Sequence, residues 1–171
     1  MHMLLERRQA VFGSAVRAHA EDLYRYAFWL CRDRWRAEDL VQETLARAWR
    51  GWAGLREAGA VKSWLYTILY HEFARDAEKL KLEPGVPEEP EEPHASGDPA
   101  LGLDVKRALG HLNDESRHAL LLQVLGGFSC TEIAQMLGST EGAVMTRLSR
   151  ARQALRRALE PADFNKEAKE A

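Results

Sequence analysis

Five arginines, Arg147, Arg150, Arg152, Arg156 and Arg157, crowd residues 142–159, a stretch without an acid. Guanidinium groups at that density suit phosphate contact, because each neutralised phosphate releases condensed counterions. Just upstream, the spacing predicts a short helix, a turn and a second helix. Ser129 and Glu132 stand at capping-box spacing. Gly138 stands where a left-handed residue ends the first helix, and Ser139 or Thr140 caps the second. Short helix, glycine turn and longer basic helix match the DNA-binding helix-turn-helix. Val144, Leu148, Ala151 and Leu155 fall on the face that packs on Ile133, Ala134 and Leu137. Met145, Thr146, Arg147, Ser149, Arg150 and Arg152 fall outward or on the flank, and residues at the helix start, Thr140 and Glu141, can reach base edges in a major groove. The plain alternative is a solvated, arginine-rich helical hairpin. The cap, the turn glycine and the charge all favour the DNA reading.

A second constellation lies on residues 37–52. Leu40, Val41, Leu45, Ala48 and Trp49 form an apolar stripe. Asp39, Gln42, Glu43 and Ala46 recur at i, i+3, i+4 and i+7 on another face. Such a polar, acidic strip could dock on a basic partner helix. Glu38 and Asp39 also complement the helix dipole, but that leaves Gln42 and Glu43 without a reason.

The elements that position these residues are helical. Leu23, Tyr26, Ala27 and Leu30 recur at helical spacing, as do Val61, Trp64, Leu65, Ile68, Leu69 and Phe73. No run alternates with period two, so the fold class is all-α: two small helical domains, the C-terminal one a helix-turn-helix. Residues 1–80 predict three or four helices closed by short loops at Asp33–Arg36 and Gly54–Ala60. Residues 101–160 predict three or four shorter ones, with a helix restart capped by Asn113 or Asp114. Between them, residues 81–100 carry five of the six prolines, and residues 80–103 hold one lysine against six acids. Proline at such spacing favours extended backbone, and like charges repel, so 81–100 reads as an acidic, Pro-rich linker. Pro161 stops the last helix, and residues 161–171 read as a disordered tail.

Composition excludes several classes. With 171 residues, 46% hydrophobic and net charge −2, the chain can build a packed core. No apolar run approaches 18 residues, and the N-terminus lacks the pattern of a secretory signal. Two cysteines, Cys31 and Cys130, exclude a disulfide scaffold and favour a cytoplasmic setting. The six histidines show no ligand spacing, so no metal or cofactor is expected. No phosphate loop, nucleophile elbow or paired-carboxylate site argues for an enzyme.

Residues 37–50, Ala-Glu-Asp-Leu-Val-Gln-Glu-Thr-Leu-Ala-Arg-Ala-Trp-Arg, resemble the signature helix of extracytoplasmic-function sigma factors. Residues 126–157 resemble that family's promoter-reading C-terminal domain. The resemblance implies a dissociable initiation subunit of bacterial RNA polymerase. Its N-terminal domain would bind the β′ clamp, through Asp39, Gln42 and Glu43, and the −10 element. Its C-terminal domain would bind the β flap and the −35 element, through Thr140, Glu141, Met145, Thr146, Arg147, Ser149, Arg150 and Arg152. The −10 strand would meet Arg47 and, on the exposed side of helix 61–80, Lys62, Tyr66, Tyr70, His71 and Arg75. Aromatic faces stack on bases and cations hold phosphates, which suits single strands. Trp64 and Phe73 belong to the core stripe. In the family, the loop Gly54–Lys62 pockets a flipped base. Met145 stands where the family usually has Lys or Arg, and it could read a thymine methyl instead. Glu88, Glu89, Glu91 and Glu92 of the linker either imitate RNA in the polymerase channel or merely solubilise a tether.

The resemblance further implies control by a separate anti-sigma factor, in the cytoplasm or at the inner membrane face, with neither membrane insertion nor a small-molecule substrate. Two other readings stay open. A stand-alone DNA-binding regulator would bind duplex tightly without polymerase. An interaction protein without promoter activity would not need the arginines at 147, 150 and 152.

Overall fold

A computed structural model describes residues 2–55, 58–82 and 99–160. These form seven α-helices: α1 (His2–Cys31), α2 (Arg34–Gly51), α3 (Val61–Leu82), α4 (Pro99–Gly110), α5 (Asp114–Val124), α6 (Cys130–Met136) and α7 (Glu141–Leu159). Two 3-10 turns, Trp52–Gly54 and Ala58–Ala60, join α2 to α3. No strand occurs among the described residues. The all-α expectation therefore holds. Helix α3 continues through Leu82 and α4 already starts at Pro99, so helix enters the expected linker from both sides. Residues 83–98 and the expected tail, 161–171, lie outside the described residues.

The first loop is tighter than the spacing predicts. Instead of Asp33–Arg36, the break is confined to Arg32 and Asp33, because Asp33 is itself the cap of α2. Its carboxylate accepts the Arg36 amide at 2.7 Å. Arg32 supplies the sharp turn at φ 56, a left-handed conformation uncommon outside glycine.

In the N-terminal half, Leu23, Ala27 and Leu30 of α1 pack with Ala37, Leu40 and Ala48 of α2 and with Leu65 and Leu69 of α3. Thr44 is fully buried among them and satisfies its hydroxyl by donating to the Leu40 carbonyl at 2.7 Å. Leu45, Trp49 and Trp64, expected in the core, are half-buried instead. The two tryptophans join a flanking aromatic row: Phe12 lies 5.2 Å from Trp49 and 5.1 Å from Trp52, and Trp52 lies 6.1 Å from Trp64. In the C-terminal half, Ala119, Leu122, Ile133, Val144, Leu148 and Ala151 are buried. Buried Arg117 donates to the carbonyls of Leu109 (2.9 Å) and Leu112 (2.7 Å), closing the end of α4 against α5.

Candidate nucleic-acid interface

The α6–turn–α7 unit is fixed by local chemistry. The Ser129 hydroxyl accepts the Glu132 amide at 3.2 Å, while Glu132 accepts the Ser129 amide at 2.8 Å, completing a capping box. These hydrogen bonds from Ser129 hold the Glu132 carboxyl below its ordinary range. Gly138 turns the chain at φ 59, and the Ser139 amide returns to the Ala134 carbonyl at 2.8 Å. Of the two possible caps, Thr140 is the one used: its hydroxyl accepts the Ala143 amide at 3.2 Å.

Val144, Leu148 and Ala151 anchor α7 inward. Thr140, Glu141, Met145, Thr146, Ser149, Arg150 and Arg152 are exposed, with Met145 at 57%. They differ in how far they are committed to the protein. Glu141 accepts the Thr131 hydroxyl at 3.1 Å, and Arg152 donates to Gln123. Arg147 is only half-exposed: it pairs with Glu115 at 2.7 Å and donates to Ser139 at 2.9 Å. Arg150 makes no ion pair among the described residues.

On α2, Asp39, Gln42, Glu43 and Ala46 are all exposed on the side away from the core. Glu43 lies 3.3 Å from Arg50. Asp39 makes no ion pair among the described residues.

Helix α3 departs most from expectation. It does not present Tyr66 to solvent: Tyr66 is 0% exposed. The reason is that the two halves of the molecule pack against each other along this side of α3. Tyr66 lies 5.2 Å from Tyr26 of α1 and 5.2 Å from Phe128 before α6. Lys62 sits over the Phe128 ring at 5.1 Å and donates to the Gly126 carbonyl. Tyr70 stands edge-on to His118 of α5 at 4.7 Å, and Phe73 does so at 5.0 Å. His118, 2% exposed, shares a 2.7 Å hydrogen bond with the Tyr26 hydroxyl. Arg47 and Arg75 converge instead on Glu72, which is 3% exposed, at 2.5 Å and 3.2 Å. Only His71 of the expected strand-contacting set is exposed without sharing this interface hydrogen bonding or the Glu72 ion pairs. Beside the Gly54–Lys62 loop, an open groove of about 720 Å³ runs between Arg7, Val11 and His19 of α1 and Trp52, Leu55 and Val61.

Two family models match the chain in order: Sigma-70 region 2 over residues 15–81 and Sigma-70 region 4 over residues 102–155. The ECF RNA polymerase sigma factor SigM of Mycobacterium tuberculosis is 33% identical over 150 residues, covering 86% of this chain and 76% of that protein. The chain belongs to the extracytoplasmic-function sigma factors. SigE of Mycolicibacterium smegmatis is 35% identical over 151 residues, covering 82% of this sigma factor and 58% of SigE. The solved structure of RpoE from Bartonella quintana, in complex with the anti-sigma factor NepR, aligns with a TM-score of 0.77 at 32% identity. That alignment covers 86% of this chain and 96% of that one.

This sigma factor therefore holds its region-2 and region-4 helices in direct contact. Sequence reasoning missed His118 and Tyr26 as partners, since Tyr26 reads as a member of its own helix's apolar stripe and His118 as one of six histidines without ligand spacing. The contact has a flaw: the buried Tyr66 hydroxyl has no hydrogen-bond partner among the described residues. An unsatisfied buried hydroxyl costs about 1–3 kcal/mol. Tyr66→Phe is therefore expected to stabilise the protein by about 1 kcal/mol in urea unfolding. Destabilisation would mean that the hydroxyl is satisfied in solution.

Proposed function

We propose that this sigma factor binds core RNA polymerase through the exposed face of α2 and directs initiation at a stress-responsive set of promoters, without catalysing a reaction itself. In this reading residues 1–80 form the clamp- and −10-binding domain, 81–100 the linker and 101–160 the −35-binding domain. Asp39, Gln42 and Glu43 meet the β′ clamp. Arg47, Lys62, Tyr66, Tyr70, His71 and Arg75 meet the −10 strand once the halves separate. A flipped base enters the groove beside Leu55. Thr140, Glu141, Met145, Thr146, Arg147, Ser149, Arg150 and Arg152 meet the −35 duplex. The observation that carries the reading is the capped α6–Gly138–α7 unit, with one apolar face inward and one polar, arginine-bearing face outward.

The factor acts in the cytoplasm, and an anti-sigma protein holds it inactive. RpoE was solved with NepR, and CnrH, 26% identical with a TM-score of 0.65, with the cytosolic domain of CnrY. An inhibitor anchored in the membrane would keep it at the inner face.

Run-off transcription with purified core polymerase and fragmented genomic DNA tests the proposal. Transcripts from discrete sites are expected only when the protein is added, and Asp39→Ala should weaken co-elution with core several-fold. Silence with intact co-elution would favour a polymerase-binding regulator. Silence without co-elution, but with duplex binding, would favour a stand-alone DNA binder.

A further inference from the structure

Trp35 is 60% exposed and is the only aromatic among the exposed large hydrophobic residues described. It precedes Asp39 by four positions and Gln42 by seven, so it shares their face of α2. Ala46 lies on that same face, and all four are exposed. The core-facing side of the helix is the opposite one, marked by Ala37, Leu40, Thr44 and Ala48. The indole is also steadied. The Arg34 guanidinium lies 5.4 Å from the ring centre, and its Nε is held at 3.0 Å by Glu38.

We infer that Trp35 is an aromatic anchor of the core-polymerase interface, seated with Asp39 and Gln42 against a basic helical surface of the clamp. The inference rests on the proposal that this face of α2 meets core polymerase. Three features carry it further. The aromatic lies on the same face as Asp39, whose carboxylate makes no ion pair among the described residues and complements a basic partner. Ala46 at the other end leaves room for a helix to approach closely. The Arg34–Glu38 pair pre-orders the ring, which lowers the entropy lost on binding. Tryptophan is enriched among the residues that dominate interface energetics, because one side chain buries a large area with few rotatable bonds.

The test is competition binding: full-length variants displace labelled wild-type protein from purified core polymerase, with melting temperatures recorded in parallel. Trp35→Ala is expected to weaken binding by about tenfold to thirtyfold. Its melting temperature should stay unchanged, since the indole lies outside the core. Trp35→Phe should recover most of the loss. Should Trp35→Ala bind within twofold of wild type while Asp39→Ala is clearly weakened, the anchor role is overturned and the α2 face stands. Should neither variant weaken binding, the α2 face is wrong and the anchor falls with it. A loss accompanied by a lower melting temperature and no recovery in Trp35→Phe would assign Trp35 a structural role and overturn the inference.

Discussion

Acidification from pH 7.5 to 5 should shift the docking of the two halves towards the open form by roughly thirtyfold, about 2 kcal/mol. The cause is His118. Burial, reinforced by neighbouring Arg117, pushes its imidazole down to about 3. Around it stand Tyr26 from α1 and Tyr70 and Phe73 from α3, none of them an acid that could stabilise an imidazolium. When the halves part, the ring meets water and returns to the ordinary value near 6.5. The closed form thus holds the neutral ring, and the open form accepts a proton. The contribution to closure is complete above about pH 6.5 and is lost progressively as pH falls towards 3. The radius of gyration in small-angle scattering, followed against pH, reads the equilibrium directly. His118→Gln keeps an acceptor for the Tyr26 hydroxyl but cannot charge, so it should remove the transition. A transition of equal size in His118→Gln would assign the opening to the carboxylates instead.

Replacing Arg150 and Arg152 together by alanine should lower affinity for a −35 duplex by roughly a hundredfold, while Arg147→Ala should cost less. The structure separates these arginines although the sequence places them alike. Arg150 is exposed and makes no ion pair among the described residues. Arg152 is exposed and loses only a neutral Gln123 partner on binding. Arg147 must give up Glu115 at 2.7 Å and Ser139 at 2.9 Å before it can turn to a phosphate. Its truncation therefore loosens α7 from α5 as well as removing a charge. Fluorescence anisotropy across a salt series distinguishes the two kinds of loss. The slope of log affinity against log salt should fall by about one for each phosphate contact removed. Equal losses from Arg147→Ala and Arg150→Ala, with equal changes of slope, would contradict this ordering.

The helices and their caps were legible because their signals are local. Ser129 with Glu132, Gly138, Thr140 and Asn113 each act within one turn of chain, and each does so in the structure. What escaped was non-local. The side of α3 bearing Lys62, Tyr66 and Tyr70 is amphipathic enough to serve water, nucleic acid or another helix, and periodicity does not choose among them. The choice falls to Phe128 and His118, residues 48 to 66 positions away from the ones they meet. Thr44 was missed in the core because its hydroxyl looks polar until its bond to the Leu40 carbonyl is seen. Trp35 was missed on the surface because an isolated aromatic outside the apolar stripe leaves no periodic trace.

The ring contact between Tyr66 and Phe128 also limits how this sequence can drift. Under the proposed function Tyr66 answers to two partners at different times, a protein ring and a DNA base, and cannot be optimised for either alone. Phe128 answers only to Tyr66 and its neighbours. Change should therefore be tolerated first at Phe128 and only afterwards, in compensation, at Tyr66. Among descendants of this chain, the two positions should vary as a pair, with the partner on the region-4 side substituted more freely.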